Sequence, residues 1–198
     1  MNSARSSVVV GILAVMGMVL GYWWIPTNAK EAASQSGIPA ATVANYVHAV
    51  IEADRTFYTI HVVERLQAKG VVTAAENWRV TNTLPLPAQF LRESAELAAK
   101  TGTKIEYRLI SLWPINKQNG PADEFERTGL IEVLAHQERP HTGIIAREGG
   151  RYFRAVYADK AVSQACIGCH NVHPNSPKKD FKPNDVMGGI VISIPLGQ

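Results

Sequence analysis

A chain of 198 residues, 46% hydrophobic and 19% charged, has the composition of a globular protein, with room for one domain of about 165 residues behind an apolar N-terminus. The formal charge of +3 is small and evenly spread, and Lys178-Lys179 is the only basic doublet, which argues against a nucleic-acid track. Both cysteines fall in a single motif, so no disulfide framework supports the fold, and no internal repeat recurs.

After Arg5, the run from Val8 to Ile25 carries no charge. As a helix it would span about 27 Å at about 1.5 Å per residue, just enough for a bilayer core. Tyr22, Trp23 and Trp24 lie at its far end, where aromatic rings favour a membrane interface. Thr27-Asn28-Ala29 offers a small-residue cleavage site. Residues 1–29 are therefore expected to be a signal peptide or a retained transmembrane anchor, and the length of the run favours the anchor. Either way Arg5 stays inside and the rest is exported, to the periplasmic side of a bacterial inner membrane. Residues 30–39 read as a linker and 40–198 as the domain.

From Pro39 to about Lys69 no internal proline or glycine interrupts a helical pattern. At 100° per residue Val43, Val47, Val50, Phe57 and His61 share one stripe, which predicts a core-facing side with His61 near its centre. Asp54 falls on the same stripe, whereas His48 lies on the side shared with Asn45 and Glu52. Thr83 to Ala88 reads as extended, because each proline biases its predecessor away from helix. Pro87 then opens a helix over Ala88 to Lys100, burying Phe90, Leu91, Ser94, Leu97 and Ala98 and ending at Gly102.

Lys104 to Trp113 alternates as a strand closed by Pro114. Pro121 with Asp123, Glu124 and Glu126 marks a helix running to about His136. Thr142 to Arg147 and Tyr152 to Tyr157 flank Glu148-Gly149-Gly150 as a hairpin. Asp159 is expected to cap a short helix leading into Cys166, and a proline-rich loop covers His173 to Asp185. Val186 to Pro195 is a last strand, where Gly188-Gly189 permits a bulge or the close approach of a flat ring. About four strands and four or more helices make an α+β fold with an antiparallel sheet.

The most specific stretch is Cys166-Ile167-Gly168-Cys169-His170. Two thiols three apart, followed at once by a histidine, are the pattern of covalent c-type haem attachment. Each thiol adds to one vinyl group, and the next residue is held under the iron as an imidazole ligand. A disulfide, a thioredoxin-like pair or half a zinc site are the competing readings. A four-ligand zinc site would want a second Cys or His pair, and a thioredoxin pair a βαβ context. His61 is the favoured candidate for the sixth ligand, with His48, Met187 or an open position as alternatives. Arg55 and Arg65 are candidate partners for the haem propionates, and Tyr58 and Trp113 candidate pocket residues; His136, His141 and His173 read as surface loop residues.

Taken in order, several motifs resemble the c-type haem sensor-type domain family, once catalogued only as a domain of unknown function. They are Asp54-Arg55-x-x-Tyr58 with His61-Val62-Val63, Leu84-Pro85-Leu86-Pro87-Ala88, and Ser111-Leu112-Trp113-Pro114-Ile115-Asn116. Pro121-x-x-x-Phe125-Glu126, Cys166-x-x-Cys169-His170-Asn171 and Asp185-Val186-Met187-Gly188-Gly189 complete the set, over residues 40 to 196. The resemblance implies a PAS-like α+β fold with helical additions and one covalent haem c, and matches Cys166, Cys169 and His170 to the attachment motif. Members stand alone behind an export signal or precede histidine kinase and chemoreceptor modules. This sequence reaches Gln198 without a transmitter domain, so a signal is expected to pass to a separate partner.

Three functions compete on these grounds: a redox or small-gas sensor, a periplasmic electron-transfer cytochrome, and a haem peroxidase-type enzyme. The enzyme ranks last, because no motif sets an acid–base group over an open position.

Overall fold

The computed structural model describes residues 37–197; the expected signal peptide or anchor at 1–29 lies outside the described residues. Among the described residues no helix is long and apolar enough to cross a membrane. The first helix, α1 (Ala40–Phe57), continues without a break into a π-helical stretch (Tyr58–Glu64) and a closing turn, α2 (Arg65–Ala68). A short helix not expected from the sequence, α3 (Trp78–Thr81), precedes α4 (Pro87–Ala99). There follow β1 (Glu106–Ile110), α5 (Glu124–Ala135), β2 (His141–Arg147), β3 (Gly150–Lys160), α6 (Gln164–Val172) and β4 (Val186–Leu196).

The expected α+β class holds. The strands form one antiparallel sheet in the order β1-β4-β3-β2, so the C-terminal strand runs through its middle. This centrality explains its composition. Val186 to Ile194 is buried throughout, as an interior strand covered on both faces requires. On one face Ala155, Tyr157, Ile190, Ile192 and Ile194 pack against Ala44 and Ile51 of α1 and Leu91 of α4. On the other, Val156, Val191 and Ile110 pack against Leu130 and Val133 of α5.

Local chemistry sets most boundaries. Pro87 opens α4, and the Gln89 side chain accepts the Leu86 N–H at 2.9 Å. Asp123 caps α5 by accepting the Glu126 N–H at 2.9 Å. The β2–β3 hairpin closes tightly, with Arg147 paired to Gly150 and positive φ at Gly149 and Gly150. β1 stops at Ile110, short of the expected Trp113. Ser111 Oγ donates to the Met187 carbonyl at 2.6 Å and accepts the Trp113 N–H at 3.0 Å, turning the chain away from the sheet. The glycine pair in β4 does accompany an irregularity: the β3–β4 register shifts between Asp159 and Lys160. At Gly188 the close neighbour is the Ile110 carbonyl, which would lie 2.2 Å from any added Cβ.

The inward faces of two helices also differ from expectation. The face α1 turns to the sheet carries Ala44, Ile51 and Arg55, and continues as Thr59 and Val63; Val50 is 61% exposed and Phe57 62%. Val43 and Val47 do pack on the core, at its edge. Counting apolar residues misplaced the stripe because an arginine and a threonine take inward positions. The π-helical bonding, i to i+5, widens the turn and keeps 55, 59 and 63 on one side. In α4, Leu97 is likewise exposed rather than buried.

The face under α5 is organised by a buried carboxylate. Glu126, 2% exposed, accepts from Arg154 Nη2 at 2.5 Å, from Arg108 Nε at 3.3 Å and from the Ala122 N–H at 2.7 Å. Removing this carboxylate leaves the buried Arg154 guanidinium charged, with Asp123 as its remaining partner. Glu126→Ala is therefore expected to cost about 3–5 kcal/mol in urea unfolding; a loss below about 1 kcal/mol would show that water reaches Arg154 readily.

Candidate functional site

The attachment motif sits on α6. Ser163 caps this helix, its Oγ accepting the Ala165 N–H at 3.1 Å, so the expected cap, Asp159, is free for another role. At positions i, i+3 and i+4 of one helix, Cys166, Cys169 and His170 share a face. Both cysteines are free thiols, Cys166 half-buried and Cys169 exposed. Burial pushes the Cys169 thiol up, and the Glu76 carboxylate adds to the rise. His170 is half-buried, and its Nδ1 is buried with no hydrogen-bond partner. Desolvation pushes its pKa down, helped by His173 and Arg55, so the imidazole is held neutral with a lone pair to offer.

A side-chain clamp stabilises the back of this helix. Asn171 Nδ2 donates to the Phe181 carbonyl at 2.9 Å, and its Oδ1 accepts the Phe181 N–H at 3.0 Å. The bent loop after α6 is thereby fastened down with the Phe181 ring edge-on to His170, centroids 5.9 Å apart. Phe181 also meets the Trp113 ring edge-on at 5.9 Å, and Lys178 lies over both rings. Ala161, Ile167, Phe181 and Met187 close a small apolar cluster there.

In front of the helix opens a cavity of about 1120 Å³. Cys166, Cys169 and His170 line it from α6, and Arg55, Thr59 and Val63 from the first helix. The start of α4, the turn after β1, and Met187 and Gly188 of β4 supply the remaining walls. In this cavity Arg55 and Asp159 form a buried ion pair, with Nη2 donating to Oδ2 at 3.0 Å and Nη1 to Oδ1. Burial pushes the Asp159 carboxyl up, while Arg55 opposes the rise. Thr59 Oγ1 donates to the Arg55 carbonyl at 2.7 Å.

The structure thus brings Cys166, Cys169, His170, Arg55 and Met187 onto one cavity and leaves the other candidates apart. His61 is exposed, its ring against Phe57 at 4.9 Å, and is not part of the cavity lining, so the expectation that it aims at the core is corrected. Its place in the π-helical stretch turns it outward while Thr59 and Val63 turn in. His48 is also outside the cavity, stacked on Tyr157 at 3.9 Å with its Nε2 buried and unpartnered. Arg65 is exposed. Tyr58 donates to the Pro85 carbonyl at 2.7 Å and stacks on Phe90, which fixes α1 to α4. Of the three histidines expected on the surface, His136 is exposed, His141 packs against Phe125, and His173 lies 3.5 Å from Glu76. Asp159 and Asn171 were missed as site-building residues. No local signal marks Asp159, whose partner is 104 positions away, whereas Asn171 directly follows the motif histidine.

An antiparallel sheet with a long N-terminal helix and a thiol–thiol–imidazole helix facing one open cavity defines the class of domain. The sequence profile of the Tll0287-like family matches residues 31–195, and the chain belongs to that family, in agreement with the resemblance its motifs carry. Among solved structures the chain is similar to one titled "Crystal structure of the cyanobacterial heme-protein Tll0287". The identity is 13% and the TM-score 0.46, over 82% of this chain and 99% of that one. No curated protein matches the chain.

The position of His48 generates a pH effect. Burial pushes its pKa from 6.5 down to about 4, so the unfolded chain takes up the proton first as pH falls. Stability is expected to decline between pH 6.5 and about 4 and to level off below for this group. His48→Phe keeps a ring on Tyr157 and removes the proton, so its urea midpoint should fall less over that window than the wild-type one. Parallel midpoint curves would refute the assignment.

Proposed function

We propose that this chain is an exported monohaem protein. One haem c would be held through thioethers from Cys166 and Cys169, with the His170 imidazole offered to the iron. The observation that carries the reading is the joint placement of both thiols and a neutral, half-buried imidazole on one helix face, opening on a cavity of about 1120 Å³. The residues present fit the group. The thiols are free to form thioethers, the imidazole is kept unprotonated by burial, and the orphaned Nδ1 marks a ring whose polar contacts are incomplete. The protein that gives the family its description is titled a heme-protein, which supports the same reading. Bound there, haem supplies a metal that changes oxidation state and accepts small ligands. Export, with the domain on the periplasmic side and held or released at residues 1–29, is the compartment in which such attachment occurs.

The role we infer is redox or small-gas sensing through a separate partner, within a PAS-like domain. Two features favour it. Among the described residues His170 is the only histidine lining the cavity, so of the candidate sixth ligands only Met187 shares it, which leaves the iron's other side to a thioether or an external ligand. Another wall of the cavity is a π-helical stretch, a geometry that recurs at functional sites. Through Arg55 and Asp159 the same wall is tied to the strand that leads into α6, so a change of charge in the cavity acts on the N-terminal helix directly. Periplasmic electron transfer is the second reading, favoured by the exposed Cys169 edge. Among the described residues the cavity holds no second histidine to favour a peroxidase.

Wild-type protein is expected to keep its colour on denaturing gels, and Cys166→Ala or Cys169→Ala to weaken that retention. His170→Ala should change the visible spectrum, whereas His61→Ala should leave it unaltered. The reduced protein should bind carbon monoxide promptly. Indifference to carbon monoxide would overturn the gas reading in favour of redox sensing or electron transfer, and loss of all colour in acid–acetone would overturn covalent haem.

A further inference from the structure

Arg55 is 7% exposed and lines the cavity together with Cys166, Cys169 and His170. Asp159 uses two of its guanidinium nitrogens, Nη1 and Nη2. The third, Nε, is buried and has no acceptor. An arginine cannot shed its charge, and more than about 90% of buried donors in folded proteins find a partner, so an idle N–H on a cavity wall calls for one. The neighbouring groups do not supply it: the Thr59 hydroxyl donates to the Arg55 carbonyl, and the Asp159 carboxylate already receives the two other nitrogens. Arg154 also has an unpartnered Nε, but it stands clear of the cavity and its guanidinium lies over the Phe125 ring at 4.9 Å. The other cation of the cavity wall, Arg92, is exposed and engaged by Glu93 and Glu96.

We propose that Arg55 holds a carboxylate-type anion inside the cavity, through the guanidinium donors that Asp159 leaves free. The planar fork of an arginine is suited to such an acceptor, and Asp159 fixes its orientation before anything binds. Two sources present this chemistry: a carboxylate side arm of the bound haem, or a free small carboxylate that enters beside it. The first rests on the haem reading given above; the second does not.

The test uses the full-length protein as isolated, with formate as probe. Wild type is compared with Arg55→Lys, which keeps the cation and the ion pair but not the fork. It is also compared with Arg55→Gln combined with Asp159→Asn, which leaves no buried charge unpaired. Saturable formate binding in calorimetry, weakened about tenfold or more in both variants, assigns a free carboxylate. No formate binding by wild type, with the Raman bands of the haem carboxylate arms shifted in both variants, assigns the haem's own. Formate response and carboxylate bands that coincide in all three proteins overturn the proposal and leave Arg55 as the partner of Asp159 alone. A colourless, unmodified wild type would defeat the haem reading separately, and formate binding would then decide the role of Arg55 by itself.

Discussion

Arg55 and Asp159 stand 104 residues apart and meet as a charged pair shielded from water, where the N-terminal helix crosses the end of β3. Desolvating two charges is costly, and their attraction offsets that cost only if both groups are held in good geometry. The pair therefore constrains much else. It fixes which side of α1 faces the sheet, and with it the inward run of Ala44, Ile51, Thr59 and Val63. It also sets the end of β3, where the register with β4 shifts and the chain leaves for Ser163 and α6. The contact ties the strand that leads to the helix bearing the two thiols and His170 directly to α1, beside the apolar packing.

The sheet supplies rigidity on which that placement rests. β4 lies between β1 and β3 and is buried on both faces, so its first residues cannot shift without disturbing two neighbours. Its glycine pair allows the Ile110 carbonyl to approach Gly188 closely, and Met187 offers its own carbonyl to Ser111. One wall of the cavity is thus made of backbone locked by hydrogen bonds. Another wall, the π-helical part of the first helix, is held by Tyr58 to Pro85 and by Thr59 to the preceding turn. Sheet backbone and a π-helical segment thus line the same cavity.

The sequence made legible whatever depends on near neighbours. Pro87 opening α4, Asp123 capping α5, the glycine hairpin and the grouping of Cys166, Cys169 and His170 follow from spacing of a few residues, and the structure agrees. The orientation of α1 was not legible. Hydrophobic periodicity assumes that the buried face is the apolar one, and here inward positions hold Arg55 and Thr59 while Val50 and Phe57 face water. The rule also assumes an unbroken 3.6-residue period, which the π-helical stretch violates just before His61. Asp159 has the character of a helix cap locally; only the remote guanidinium makes it a wall residue, and Ser163 takes the capping task.

The extra residue accommodated between Tyr58 and Glu64 acts as a phase adjuster between the two ends of the first helix. Were the stretch to keep its length but revert to i to i+4 bonding, Arg55 and Val63 would diverge by about 80° around the axis, at about 100° per residue over eight residues. Arg55 and Val63 would then no longer share a side. The wider bonding of this short segment, more than the identity of any side chain in it, keeps a guanidinium and an aliphatic side chain on the same side of the helix.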